Sequence, residues 1–185
     1  IEGAQKNALK HLRINAFSKE LIKVNEDYEK GLLSTTNFIN YYKKQFPFLT
    51  KNELVNLWNF MLKDFPKHRL DFIKALKSKG KHKLILLSNT NELHINWIKK
   101  NVTFYNEFKN CFDAFYLSHE INLRKPDTNI FEFILKQHNT TAEECFFIDD
   151  NKDNITTANQ LNFKTWHINP NTEDVVNLFK KSQSI

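Results

Sequence analysis

Residues 145–161 read CFFIDDNKDNITTANQL. An apolar run, Phe146-Phe147-Ile148, leads straight into two adjacent carboxylates, Asp149 and Asp150. The run has the length of a short buried strand, expected over 144–150. Ile155, Ala158 and Leu161 then recur at helical spacing. Asn162 falls where that helix should close on a left-handed residue, a place Asn takes when Gly does not. A strand ending in paired aspartates sets a problem. Like charges repel, and charge at the edge of a core loses hydration, so a positive partner is required.

Outward from this stretch the chain alternates. KLILLS (83–88), AFYLS (114–118) and KTWHI (164–168) read as three more short strands. NELHINWIKKN, PDTNIFEFILKQH (with Pro126 at its start) and TEDVVNLFKK read as helices between and after them. Strand–helix alternation predicts parallel β–α units in an α/β, doubly wound open sheet.

Before residue 80 the texture is helical throughout. SKELIKVNEDYEKG runs from a Ser cap to Gly31, and STTNFINYYKKQF opens on Ser or Thr. Thr50 and Glu53 have capping-box spacing, followed by Leu54, Leu57, Trp58, Met61 and Leu62. Pro66 opens a further helix that closes on Gly80. These helices predict a small bundle over 1–80 and an α/β domain over 81–185.

The 185 residues are 41% hydrophobic with 17 Phe, enough for a packed core, and hold only three Gly and four Pro, which argues against a long disordered segment. No apolar run approaches the roughly 18–20 residues of a membrane span. No signal or lipidation motif is visible. Cys111 and Cys145 lack metal or redox spacing and read as small buried apolar residues, so a reduced, cytoplasmic protein is expected. The net charge of +6 is scattered, and the densest run, KSKGKHK (77–83), has no aromatic to stack a base. Neither nucleic acid nor membrane is therefore an expected partner.

Ligands of open parallel sheets bind beyond the carboxyl ends of the strands. There the sequence offers Ser88-Asn89, Lys125 and Asp149-Asp150. Each has a plain structural reading: Ser88 and Asn89 as helix caps, Lys125 as a surface lysine, the aspartates as caps of the next helix. Together they suit a phosphate held by a hydroxyl, helix-start amides and an ammonium. The paired carboxylates then suit Mg²⁺, a hard cation with oxygen ligands that offsets their repulsion.

LLSNT, RKPD and FFIDDNKDN, in this order, resemble the second, third and fourth motifs of the haloacid dehalogenase-like (HAD) hydrolases. The match is closer to bacterial α-D-glucose-1-phosphate phosphatases, through SNTNxLH (88–94), RKP (124–126) and FxDDNxDNIxxANQL (147–161). The resemblance spans essentially the whole chain. It implies a Rossmann-like core with a helical cap inserted after its first strand. It also implies an Mg²⁺-dependent phosphatase of small phosphorylated metabolites, sugar phosphates among them. Ser88 and Asn89 would hold the transferring phosphoryl group, and Lys125 would steady the phosphate and the nucleophile. Asp150 and Asp149 would be the metal residues, Asp150 a direct ligand and Asp149 either a second direct ligand or one step behind it, with Asn154 in support. His94 is expected in a surface or cap role, and specificity in loops 30–36 and 46–50.

The family's nucleophile comes from a DxD motif on the first core strand, and these 185 residues contain no DxD. The expectation is that about 15–20 residues, a strand and its loop, lie upstream, leaving the core here without its first strand. Two alternatives stay open. One is a metal-independent haloacid dehalogenase, which the aspartate pair argues against. The other is a non-catalytic relative that binds a phosphorylated ligand or a partner.

Overall fold

The computed structural model describes residues 2–62 and 65–179. The chain divides into two compact units, one running to Asn122 and one from Leu123.

The first unit opens with five helices: α1 (Glu2–Leu12), α2 (Lys19–Glu29), α3 (Thr35–Gln45), α4 (Lys51–Asn59) and α5 (Lys67–Ser78). Their starts follow the cap chemistry of the sequence. Ser18 and Ser34 accept the backbone N–H groups of Leu21 and Asn37, and Thr50 and Glu53 form the reciprocal capping box. Pro66 is the cap residue of α5. Gly31 and Gly80 lie just beyond α2 and α5 with φ of 69° and 61°. Helix α4 ends at Asn59, short of the expected Met61 and Leu62. The apolar stripes of α1–α4 converge on Leu12, Tyr28, Phe38, Tyr42 and Leu54, all buried. The Phe38 ring stacks on Tyr28 at 4.0 Å and on Trp58 at 5.5 Å. Full burial of each such side chain contributes about 1.5–3 kcal/mol.

The same unit continues with β1 (Ile85–Ser88), α6 (Glu92–Asn101), α7 (Tyr105–Lys109), β2 (Ala114–Leu117) and a single turn, α8 (Ser118–Ile121). β1 and β2 pair in parallel, with Ile85 opposite Ala114 and Ser88 opposite Leu117. Asp113 fixes the start of this ladder. Its Oδ2 accepts the Leu84 N–H at 2.8 Å, and its own N–H donates to the Leu84 carbonyl at 2.8 Å.

The second unit holds α9 (Thr128–His138), β3 (Phe146–Asp149), α10 (Lys152–Gln160) and β4 (Lys164–His167). β3 and β4 are parallel, with Asp149 opposite His167. Ile130, Phe131, Ala158, Phe163 and Trp166 form its buried interior. Asn162 has a φ of 66°, the left-handed closure the sequence predicts. The four strands are parallel as expected. Among the described residues they pair as two ladders, β1 with β2 in the first unit and β3 with β4 in the second. The expected helix over TEDVVNLFKK opens as a 3₁₀ turn at Val175–Asn177 and is α-helical at Leu178 and Phe179, and Lys180 and Lys181 of that stretch lie outside the described residues.

Candidate active site

β3 delivers Asp149 to its carboxyl end with the side chain 8% exposed. Such a carboxylate must be paired and hydrogen-bonded to be tolerated. Lys125, itself buried, supplies the charge: its Nζ donates to Asp149 Oδ2 at 2.6 Å. It also lies 5.3 Å from the centre of the Phe147 ring, within cation–π range. Asp149 Oδ1 accepts two further bonds, from the Asn151 backbone N–H at 2.8 Å and from Asn154 Nδ2 at 3.0 Å. Lys125 is thus not a surface lysine.

The sequence DDNKDN explains this local geometry. Asn151 is the cap of α10, its Oδ1 accepting the N–H groups of Asp153 at 2.8 Å and Asn154 at 3.2 Å. That cap sets the first turn of α10, which turns the buried Asn154 back onto Asp149. The plain capping role therefore belongs to Asn151, not to either aspartate. Asp150 is exposed, and its backbone carbonyl accepts from His167 Nε2 at 3.1 Å. Among the described residues no donor is directed to the Asp150 carboxylate. The two carboxylates therefore differ in kind. Asp149 is neutralised and held within the protein, while Asp150 is presented to solvent.

In the first unit, β1 ends at Ser88, which lines an apolar cavity of about 210 Å³ with Leu86, Ile95, Phe108, Phe115 and Leu117. Neither Ser88 nor Asn89 caps the following helix. Asn91 does, its Oδ1 accepting the His94 N–H at 3.0 Å. Thr90 is fixed by a residue that sequence reasoning missed. Its N–H donates to Ser118 Oγ at 2.9 Å, and the Ser118 hydroxyl donates back to the Thr90 carbonyl at 2.9 Å. Ser118 is fully buried, and the signal was present as the serine closing AFYLS.

His94 departs from the expected surface role: it is only 9% exposed. Its Nε2 lies 3.0 Å from the Trp58 carbonyl and its Nδ1 3.2 Å from Asn91 Nδ2. Burial lowers its pKa below the ordinary imidazole value.

The turn after α2, within the expected specificity loop 30–36, borders a polar pocket of about 390 Å³ that also takes in Glu92, Asn96, Lys99 and His119. The Lys30 carbonyl accepts from Asn122 Nδ2 at 2.7 Å. Gly31 packs so closely on the turn after β2 that a Cβ there would sit 2.1 Å from the His119 carbonyl oxygen.

Of the predicted residues, the structure bonds Lys125, Asp149 and Asn154 into one cluster with Asp150 adjacent in sequence. Ser88 and Asn89 belong to the other unit. A model of the haloacid dehalogenase-like hydrolases matches residues 2–162, and the chain belongs to that family. It is 31% identical over 149 residues to D-ribitol-5-phosphate phosphatase of Bacteroides thetaiotaomicron, covering 76% of this chain and 69% of that protein. Among solved structures it is similar to the HAD family enzyme bt-2542 of the same organism in a magnesium complex. That match has 28% identity, a TM-score of 0.80, and covers 96% of this chain and 89% of that one. An alanine mutant of that enzyme, in complex with magnesium and inorganic phosphate, matches with 29% identity and a TM-score of 0.79 over 97% and 89% of the two chains. The fold is thus that of a HAD-like hydrolase, α/β with a helical complement. Among the described residues no helix is long and apolar enough to cross a membrane.

Proposed function

We propose that the protein is a phosphatase of small phosphorylated metabolites, with phosphorylated sugars or polyols as its substrate class. The observation that carries this reading is the contrast at the end of β3: a buried Asp149 neutralised by Lys125, beside an exposed Asp150 whose carboxylate has no partner among the described residues. The likeness to a ribitol phosphate phosphatase favours the same class.

The donor set fits Mg²⁺. It is all carboxylate oxygen, and the described residues hold no group of three or more His, Cys, Asp or Glu that could form an all-protein cage. Mg²⁺ ordinarily takes one or two carboxylates and completes its shell with water and phosphate. Asp150 would be the direct ligand, and Asp149 would flank it. When bound, the ion would supply charge neutralisation for the transferring phosphoryl group.

The protein's own residues do the rest of the work in this reading. Lys125 places an ammonium beside the end of β3, and a charge of that kind neutralises phosphate oxygens. Asn154 and the Asn151 amide hold the Asp149 carboxylate in one orientation, facing Lys125. Ser88 and Asn89 hold phosphate oxygens. The nucleophile is an aspartate outside these 185 residues. It attacks phosphorus as the P–O bond to the substrate breaks, a second upstream aspartate protonates the leaving oxygen, and water then hydrolyses the aspartyl-phosphate as that aspartate takes its proton. Residues 1–80 serve as the cap and 81–185 as the catalytic core, in the cytoplasm.

The test is release of inorganic phosphate by the complete protein from a panel of sugar and polyol phosphates, with Mg²⁺ and then with chelator. Turnover that chelation abolishes and Mg²⁺ restores supports the reading. Chloride release from 2-haloacids without metal would replace it with a dehalogenase. Phosphate binding without any turnover would replace it with a binding protein.

A further inference from the structure

The buried His94 lies outside the chemistry just described, yet both its ring nitrogens and its backbone N–H are accounted for. The Trp58 carbonyl is in the last turn of α4, where carbonyls lose their helical partners. His94 Nε2–H donates to it at 3.0 Å. This bond fixes the tautomer, leaving Nδ1 as an acceptor. Asn91 Nδ2 donates to that Nδ1 at 3.2 Å, while Asn91 Oδ1 accepts the His94 backbone N–H at 3.0 Å. The two residues therefore hold each other in both directions, and the side-chain amide of Asn91 cannot flip without breaking both bonds. Burial favours the neutral ring this arrangement needs, and the facing titratable group, His119, acts in the same direction.

We propose that His94 is a positioning residue: through Asn91 and the Trp58 carbonyl it holds the Ser88–Asn91 segment in its phosphate-binding conformation. The function assigned to it rests on the reading of Ser88 and Asn89 given above. Thr90 is pinned by Ser118 and Asn91 by His94, so the segment from the end of β1 to the start of α6 is tied at two consecutive residues. Loss of one tie leaves the backbone before it free to sample other conformations, and misplacement of phosphate donors costs rate more than affinity.

His94→Leu keeps comparable bulk without polar atoms, and His94→Gln keeps one donor and one acceptor. Both are to be compared with wild type in the complete protein by hydrogen–deuterium exchange of residues 88–95 and by kcat and KM for phosphate release. In His94→Leu, exchange across 88–95 should rise about ten-fold and kcat should fall about ten-fold or more with KM changed less. His94→Gln should recover both to within about three-fold of wild type. Wild-type exchange and kcat in His94→Leu would overturn the proposal, as would equal losses in the two variants, which would mark His94 as packing only. If His94→Leu does not fold, Asn91→Ala should give the same local exchange increase, and its absence would count against the proposal. If wild type releases no phosphate while the exchange pattern holds, the phosphatase reading fails and the positioning role stands.

Discussion

Lys125 Nζ and Asp149 Oδ2 are 2.6 Å apart, with side chains 7% and 8% exposed, 24 residues apart in the chain. This ion pair supplies the positive partner that a buried carboxylate at the end of β3 requires.

Breaking the pair from one side strands a buried charge. Lys125→Met should therefore destabilise the protein by about 3–5 kcal/mol. The double variant Lys125→Met/Asp149→Asn should be less unstable than the sum of its parts. Urea unfolding of the four proteins measures both, and strict additivity would refute the coupling.

Asp150 should behave in the opposite way. It is exposed and carries no side-chain partner among the described residues, so Asp150→Asn should change stability by no more than about 0.5 kcal/mol. In the proposed phosphatase the same change should nearly abolish Mg²⁺-dependent turnover of the complete protein. Thermal unfolding beside a phosphate-release assay separates the two effects. Wild-type rates would remove Asp150 from the metal assignment.

Burial lowers the pKa of both His94 and His119. Their unfolded values are near the ordinary value of about 6.5. Below that pH the unfolded chain binds protons that the folded one resists, so stability rises with pH across this window. The contribution is present at neutral pH and above, and is lost as pH falls through about 6.5 toward the folded values. Urea midpoints at pH 7.5, 6.5 and 5.5 should decline in that order, and His94→Gln should flatten the decline. A midpoint that does not move with pH would contradict the burial argument.

The two positive-φ glycines provide a paired test. At Gly80 an added Cβ meets nothing within 4 Å, so Gly80→Ala should cost only the strain of its φ, about 1 kcal/mol. At Gly31 the same methyl would meet the His119 carbonyl at 2.1 Å, so Gly31→Ala should cost roughly 2–4 kcal/mol. Equal melting temperatures for the two variants would show that this contact is not maintained in solution.

Much of this was legible because it is written in short-range chemistry. Ser18, Ser34, the Thr50–Glu53 box, Pro66, Gly31, Gly80 and Asn162 mark helix ends through bonds within a few residues, and each acts where it was read. The strand ends at Ser88 and Asp149 follow from apolar runs meeting polar residues. What escaped depends on partners distant in sequence. The aromatic-rich α7 and the single turn α8 have too few residues to show a helical period. Nothing local to Lys125 announces Asp149, nothing near Ser118 announces Thr90, and His94 gives no sign of the Trp58 carbonyl. The candidate site was therefore readable as a set of residue types at strand ends, while its internal wiring was not.

The two ladders bear on the order of events during synthesis. β1 finds β2 across residues 89–113, and β3 finds β4 across residues 150–163, so each pairing closes over a short stretch of chain. The first ladder can zip up once residue 117 has left the ribosome, while β3 is still inside it. The aspartate cluster is then a late arrival. A nascent chain that has emerged only as far as residues 122–146 would carry its first ladder outside the ribosome and the carboxylates at the end of β3 still within it.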